Sequence, residues 1–427
     1  MEGPGAATGR RLLVLGAGPA QLGLLGAARE QGLFVIALDR DPTAPGFRYA
    51  DRRAIISTED EQGIERLASA ERVEGIIAPG IDWPVGIAAR VAERLGLPHP
   101  IDAVVANRAV SKQKQREALA EAKVPQPGWH IVSESEVGLP VPSVVKAPDR
   151  QGQKGLTLVR SEDELPAAIA RAIEESRSGV AIIEELVDGP EVTVNAFSLR
   201  GDFHPLTVTD RLTAEPPAFG VALAHVWPAQ SARPRSGHGE GGGGNREVPP
   251  ATSDQSVRSE AAKVAEAAVR ALGIENGPSY TQLRIGPDGP QVIEVAARLG
   301  GGHDAELARL ALGVDLNGLA LQAALGEPIW SAALQPTPEV GGAVVRFLVP
   351  PEGVLEEVEG VNEARVLEGV EDVRIYREPG HIFGPFRRGA DRAGAVLAIG
   401  DSREEAVERS DEAARLIRFK VGAESLV

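Results

Sequence analysis

The sequence predicts an α/β protein whose N-terminal part is a doubly wound parallel sheet. Three observations predict it. Strand-like and helix-like segments alternate from residue 11 to about 110, a β-rich middle contains a hairpin, and the last ninety residues return to mixed strand and helix signals. Such alternation calls for parallel strands covered by helices on both faces. A chain of 427 residues also exceeds one hydrophobic core, and at ~150 residues per domain about three are expected.

The elements follow in order. RLLVLG (11–16) is an apolar run suited to a buried strand; a helix over 20–31 and the strand FVIALD (34–39) come next. GIIAPG (75–80) reads as another strand, and PVGIAARVAERLGL (84–97) as a helix that stops at Gly96. Helix 112–122 precedes the strand pair around SVVKAP (143–148) and GLTLVR (155–160), then a helix over 162–177. The strands VAIIEELV (180–187), EVTVNAFSL (191–199) and HPLTVTD (204–210) follow. Residues 229–256 are polar and rich in glycine and proline, the composition of a flexible insertion that buries nothing. Helix 257–272 leads into the hairpin YTQLRIGPDGPQVIEV (280–295), whose Pro-Asp-Gly-Pro marks the turn. Helices at 304–312 and 315–326 come before AVVRFLVP, VRIYRE, AVLAIG and a closing helix at 402–418.

Composition removes several function classes. Lys and Arg total 45 against 61 Asp and Glu, a net charge of −16, which argues against a broad nucleic-acid surface. No cysteine is present, so disulfides, thiolate nucleophiles and Cys-ligated metals are excluded. The seven histidines are scattered, so any metal is expected to be a hard cation held by oxygen. Leu12 to Ala28 superficially resembles a leader peptide, but its glycines and the strand after it fit strand, turn, helix, strand better. No run approaches the ~20 apolar residues of a membrane helix, and a cytoplasmic location with no membrane partner is expected.

Two glycine motifs attract attention. GAGPAQLG (16–23) with Asp39 imitates a dinucleotide fingerprint, but Gln21 stands where its third glycine belongs. The middle of the chain is more specific. Lys146 ends the apolar strand SVVK and is followed by DRQGQKG (149–155), whose Gly152 and Gly155 suit a turn laid over phosphates. Glu191 lies seven residues after Glu184, Glu294 four before Arg298, and RLGGGHD (298–304) runs into a helix N-terminus.

Together these segments resemble the ATP-grasp superfamily, and within it the carboxylate–amine ligases of the L-amino-acid ligase type. SKQKQREALAEAKVPQPG, VVKAPDRQGQKG, EELVDGPEVTV and QLRIGPDGPQVIEVAARLGGG occur in the expected order. The resemblance implies a pre-grasp domain at 1–110, a two-subdomain ATP-binding grasp at 111–335 and a C-terminal α/β segment at 336–427. It implies that Lys112 and Lys146 hold nucleotide phosphates, that Glu184 and the backbone of Glu185, Leu186 and Val187 border the adenine, and that Glu191 binds ribose. Glu294 is implied as the carboxylate on Mg2+ (or Mn2+), and Arg298 as the arginine on an acyl phosphate. Two positions depart from the pattern: Gln282 replaces the first metal carboxylate, and Ala296 an expected asparagine. His225, Gly301 and His303 fall where the family places substrate contacts. The implied partners are small carboxylate and amine substrates, and the family is often dimeric.

The implied reaction passes the γ-phosphoryl of ATP to a carboxylate, and an amine then displaces phosphate from the acyl phosphate. A biotin-carboxylase-like carboxylating enzyme shares the three-part layout. A nicotinamide-dependent oxidoreductase would rest on Gly16, Gly18 and Asp39, and a non-catalytic nucleotide-binding protein on Gln282 and Ala296.

Overall fold

The structure is a computed structural model and describes residues 9–133, 140–231 and 254–422. Strands β1 (Arg11–Leu15), β2 (Phe34–Leu38), β3 (Arg52–Ala54) and β4 (Gly75–Ile77) interleave with helices α1 (Leu22–Glu30), α2 (Glu61–Glu71) and α3 (Trp83–Leu95). The strands are all parallel in the order β3-β2-β1-β4. Side chains alternate across β1: Leu12 and Val14 join one core with Leu24 and Leu25 of α1, while Leu13 and Leu15 join another with Val85, Ala88 and Val91 of α3. Both faces are therefore buried, which is why the strand reads as an unbroken apolar run. Gly96 ends α3 at φ 65°, in the left-handed region expected of a helix-ending glycine. Among the described residues no helix is long and apolar enough to cross a membrane.

The chain continues through α4 (Ala103–Ala109), α5 (Lys112–Glu121), β5 (Trp129–Val132), β6 (Ser143–Lys146), β7 (Thr157–Val159), α6 (Leu165–Glu175) and β8 (Ala181–Glu185). These four strands make an antiparallel sheet, β5-β8-β6-β7, packed on α6 through Leu165, Ala168, Ile169 and Ala172. Next come β9 (Glu191–Leu199), β10 (Asp202–Thr213), β11 (Ala222–Trp227), α7 (Asp254–Leu272), β12 (Gly277–Gly286), β13 (Gly289–Ala296), α8 (Asp304–Leu312) and α9 (Leu316–Ala324). Helix α7 begins three residues earlier than its sequence pattern suggests. Most of the expected insertion at 229–256 lies outside the described residues; its near end is tied down by Ala229 N–H on Val208 O at 2.9 Å.

The last part comprises β14 (Gly342–Leu348), β15 (Gly353–Glu359), α10 (Val361–Arg365), β16 (Val370–Ile375), β17 (Ile382–Phe383), β18 (Gly394–Gly400), α11 (Arg403–Leu416) and β19 (Arg418–Gly422). Three of these strands extend the sheet of the preceding part, giving the order β13-β12-β9-β10-β11-β14-β18-β16. Residues on both sides of position 335 thus share one backbone hydrogen-bond ladder. The small sheet β17-β15-β19 stands apart from it.

The N-terminal glycine turn is filled by protein. The Gln21 side chain is buried, donates to Pro79 O at 2.6 Å, and lies where a Cβ on Gly16 would come within 3.0 Å of it. The Asp39 carboxylate accepts the backbone N–H groups of Ala17 and Asp41, each at 3.0 Å. Asp39 therefore ties the turn to its own loop, and the features that favoured a nicotinamide cofactor have a structural use.

Candidate functional site

Two β surfaces form the site: the sheet β5-β8-β6-β7 above and the hairpin β12–β13 below. The crossing between them follows β8. There Glu185 N–H donates to Gly128 O at 2.9 Å and Leu186 N–H to Pro142 O at 3.1 Å. Arg284 donates to Val187 O at 3.1 Å. Leu186 O and Val187 N–H keep no backbone partner among the described residues. The two groups belong to one trans peptide and point in opposite directions, so one of them at a time can meet a ligand in the cleft.

Deeper in the cleft, cations and carboxylates alternate. Lys146, at the end of β6, lies 2.7 Å from one Glu184 oxygen, and Arg116 of α5 donates to the other at 2.8 Å. Arg116 also donates to Val292 O at 2.7 Å and Ile293 O at 2.8 Å, so it joins α5 to the hairpin. Lys146 is buried although it stands at a strand end. Burial pushes its pKa down against the attraction of Glu184. Burial works against the Glu184 charge too, but Arg116 and Lys146 overcome it and hold the carboxyl at about 2 instead of 4.5. The triad's contribution to stability is thus present above pH 4.5 and is lost as pH falls through about 2. Glu184→Ala, which strands two buried cations, is expected to cost ~3–5 kcal/mol. Denaturant unfolding at pH 7 and pH 3 measures it, with a smaller gap between variant and parent at the lower pH.

Ser111 caps α5 through Lys114 N–H at 3.4 Å and so places Lys112 on the first turn. Lys112 Nζ lies 3.0 Å from Glu294 and donates to Arg150 O at 2.8 Å. Burial opposes its charge, and Glu294 and Asp82 raise its pKa nonetheless. Residues 149–155 form the turn above this pair, with Gly152 and Gly155 at φ 65° and 67°. At Gly155 a Cβ would also sit 3.3 Å from Ala172 Cα, so the turn approaches α6 as closely as glycine permits. Asp149 anchors it, accepting backbone N–H groups of Arg177 at 2.9 Å and Ser178 at 2.7 Å.

Glu294 and Gln282 face each other across the hairpin. Strict alternation would put Glu294 on the face of Val292, but the structure differs. The register slips between Gln282 and Leu283, leaving Ile293 as an extra residue, so Val292 and Val295 both enter the core while Glu294 turns to the cleft. Burial opposes the Glu294 charge; Lys112, Lys146 and Arg298 together lower its pKa. Gln282 donates through Nε2 to Glu191 at 2.5 Å, which leaves Oε1 as its free oxygen. Glu191 is also held by Arg211 and lies 3.5 Å from Arg284. The described residues hold no cluster of three or more His, Cys, Asp or Glu of metal-binding geometry. One carboxylate and one amide oxygen nevertheless fit a Mg2+ carried in on nucleotide phosphates, because that ion fills its octahedron with phosphate oxygens and water.

Arg298 follows the end of β13 instead of continuing the strand. It donates through Nε to Asp82 Oδ1 at 2.8 Å, places Nη2 2.7 Å from the same atom, and donates to Leu299 O at 2.8 Å. Asp82 comes from the loop after β4. Gly301 packs where a Cβ would stand 2.7 Å from Gly80 O, which fixes the glycine run against that same loop. His303 is buried at φ 59° and contacts Tyr376 through Nε2; Arg374 donates to its Nδ1 at 2.9 Å, beside Glu306. Burial holds its pKa below the ordinary value. His225 lies 3.3 Å from Asp304, whose carboxyl is lowered to about 2; burial opposes that shift and His225 drives it.

The structure therefore gathers Lys112, Lys146, Glu184, Glu294 and Gln282 around one cleft, with Arg298 at its inner end. His225 and His303 lie beyond it, against β14 and the C-terminal strands. Sequence reasoning missed Arg116, Asp82 and Arg211. A signal existed for Arg116, since its four-residue spacing from Lys112 puts two cations on one helix face.

Residues 110–304 match the phosphoribosylglycinamide synthetase ATP-grasp (A) domain family, and residues 346–422 match L-amino acid ligase C-terminal domain 2. An uncharacterized protein of Sinorhizobium fredii is 27% identical over 399 residues, covering 89% of this chain and 76% of that protein. A formate-dependent phosphoribosylglycinamide formyltransferase of Burkholderia vietnamiensis is 28% identical over 427 residues, covering 96% and 95%. The crystal structure of L-amino acid ligase from Bacillus licheniformis superposes with a TM-score of 0.78 at 22% identity, covering 97% of this chain and 99% of that one.

Proposed function

Because this chain belongs to the ATP-grasp ligases, we propose that it activates a small-molecule carboxylate, of amino-acid type, as an acyl phosphate and joins it to an amine. The observation that carries this reading is the convergence of Lys112, Lys146 and Arg298 on the single carboxylate Glu294, beneath a glycine turn.

In this reading the backbone from Glu185 to Val187 receives the adenine and Glu191 the ribose. Lys112 and Lys146 lie along the phosphates and offset their charge during transfer. Glu294 and Gln282 Oε1 would hold the Mg2+, which supplies further charge neutralisation on the phosphoryl group. Glu294 now faces Lys112, so nucleotide entry exchanges one pairing for another without creating a new buried charge. Arg298, fixed by Asp82, presents its remaining guanidinium edge to the acyl phosphate and to the oxyanion that forms when the amine attacks. The 149–155 turn covers the cleft and keeps water from the acyl phosphate.

ADP and phosphate release with a panel of amino acids, with and without Mg2+, tests the proposal. Release that depends on both amino acid and Mg2+ supports it. Bicarbonate-dependent release in its place supports a carboxylating enzyme, and ATP binding without turnover a nucleotide-binding protein. Lys146→Met keeps the buried stem and removes the charge, so ATP affinity is expected to fall roughly 10- to 100-fold, the worth of a charged hydrogen bond. Calorimetry checks it; unchanged affinity removes Lys146 from the phosphate site.

A further inference from the structure

Against Gln153 and Gly155 of the 149–155 turn lies a cavity of about 810 Å³. One wall is the edge strand β7 with Gln153 and the outer face of α6. The other is the C-terminal segment from Arg377 to Asp391, and Pro216, Pro217 and Phe219 complete it. Four arginines line the cavity, Arg171, Arg377, Arg387 and Arg388, against two carboxylates, Glu175 and Asp391.

Those carboxylates offset only one of the four cations, Arg388, whose Nη2 lies 3.5 Å from Asp391 Oδ1. Asp391 is occupied by its own loop, accepting backbone N–H groups of Arg387 at 2.9 Å and Arg388 at 2.8 Å. Among the described residues Arg171, Arg377 and Arg387 have no salt-bridge partner, and Arg377 Nε and Thr157 Oγ1 are buried in the wall with no hydrogen bond. A chain of net charge −16 repels small anions over most of its surface. A local surplus of guanidinium groups in a concave site reverses that field and draws them in. The volume lies in the upper part of the ~300–1,000 Å³ range of small-molecule sites, and Pro216, Pro217 and Phe219 offer apolar surface to a carbon skeleton.

The turn connects this cavity to the reacting centre. Arg150 O receives Lys112, the partner of Glu294, and three residues on, Gln153 lines the cavity and accepts Gly389 N–H at 3.4 Å. We propose that the cavity binds the non-reacting end of one substrate, and that this end carries two or more negative charges, as carboxylate or phosphate. The proposal rests on the ligase reading for the word substrate; the anion site itself does not.

Calorimetric titration of the full chain, with ADP and Mg2+ at saturating concentration to fill the nucleotide cleft, tests it. The probes are O-phosphoserine against serine, and glutamylglutamate against glutaminylglutamine. Each charged probe that fits is expected to bind at least tenfold more tightly than its neutral counterpart, and the stronger of the two identifies phosphate or carboxylate. The double variant Arg387→Ala/Arg388→Ala, at exposed positions, is expected to lose that preference while keeping its melting temperature and ADP affinity. Arg387→Lys/Arg388→Lys is expected to restore most of it. Equal binding of charged and neutral probes, no binding of either charged probe at millimolar concentration, or an undiminished preference in the alanine variant overturns the proposal. Charge-selective binding without amino-acid-dependent ADP release in any assay leaves the anion site standing and removes the ligase reading.

Discussion

Glu294→Gln is expected to abolish amino-acid-dependent ADP formation, by about 10³-fold or more, while the melting temperature changes little. The reason is the composition of the pair across the hairpin. Gln282 already supplies a neutral oxygen, so Glu294 carries all the negative charge that this pair can offer a cation. Gln is nearly isosteric with Glu, and the β13 backbone that places it is held by Arg116 on Val292 O and Ile293 O, not by the carboxylate. What the variant loses is charge. Its Lys112 no longer has a carboxylate at 3.0 Å, and the site retains two lysines and an arginine without a counter-charge for an incoming Mg2+. The Lys112–Glu294 pair is partly exposed, at 12% and 24% of the side chains, so its removal costs far less than breaking the fully buried Glu184 triad. Turnover and thermal unfolding on one preparation separate the effects. Retained turnover in Glu294→Gln would sink the mechanism.

How much of this was legible in the sequence differs by element. The strands of the N-terminal sheet are apolar on both faces, so their identity could be read from composition alone. The cleft lysines were legible because each sits at a punctuated place, Lys146 at a strand end before Pro148 and Lys112 after the capping Ser111. The hairpin positions Gln282 and Glu294 were legible as a pair, but the face of Glu294 was not. A one-residue bulge at Ile293 leaves no mark in an apolar strand, yet it reverses which side chains enter the core. Contacts between distant segments were hidden for a different reason. Asp82 looks like an ordinary helix-cap acid, and Arg374 and Tyr376 like an ordinary strand, until the fold brings the first against Arg298 and the others against His303.

That Asp82–Arg298 contact sets the second large effect. Arg298→Ala is expected to lower turnover by ~100-fold or more, the scale observed when one transition-state charge stabiliser is removed. ATP affinity should change much less, because the guanidinium is aimed at the inner end of the cleft and not at the adenine edge. Burial opposes the charge of Arg298, and Asp82 with Glu294 raises its pKa, so it stays protonated throughout the range in which the protein is folded. Asp82 contacts it through a single oxygen, Oδ1, which receives Nε and approaches Nη2. It therefore acts as a positioning residue. Asp82→Asn keeps an acceptor there and weakens only the charge, so it should reduce kcat while leaving the KM for ATP unchanged. Combining it with Arg298→Ala should add nothing, since Asp82 works through the arginine that is already gone. A purely structural ion pair gives the opposite pattern: both single variants lower the melting temperature, kcat per folded molecule is preserved, and the double variant is no less stable than either. Measuring kcat, the KM for ATP and thermal unfolding on all three variants decides between the two, and additive losses of kcat in the double variant would show that Asp82 does not act through Arg298.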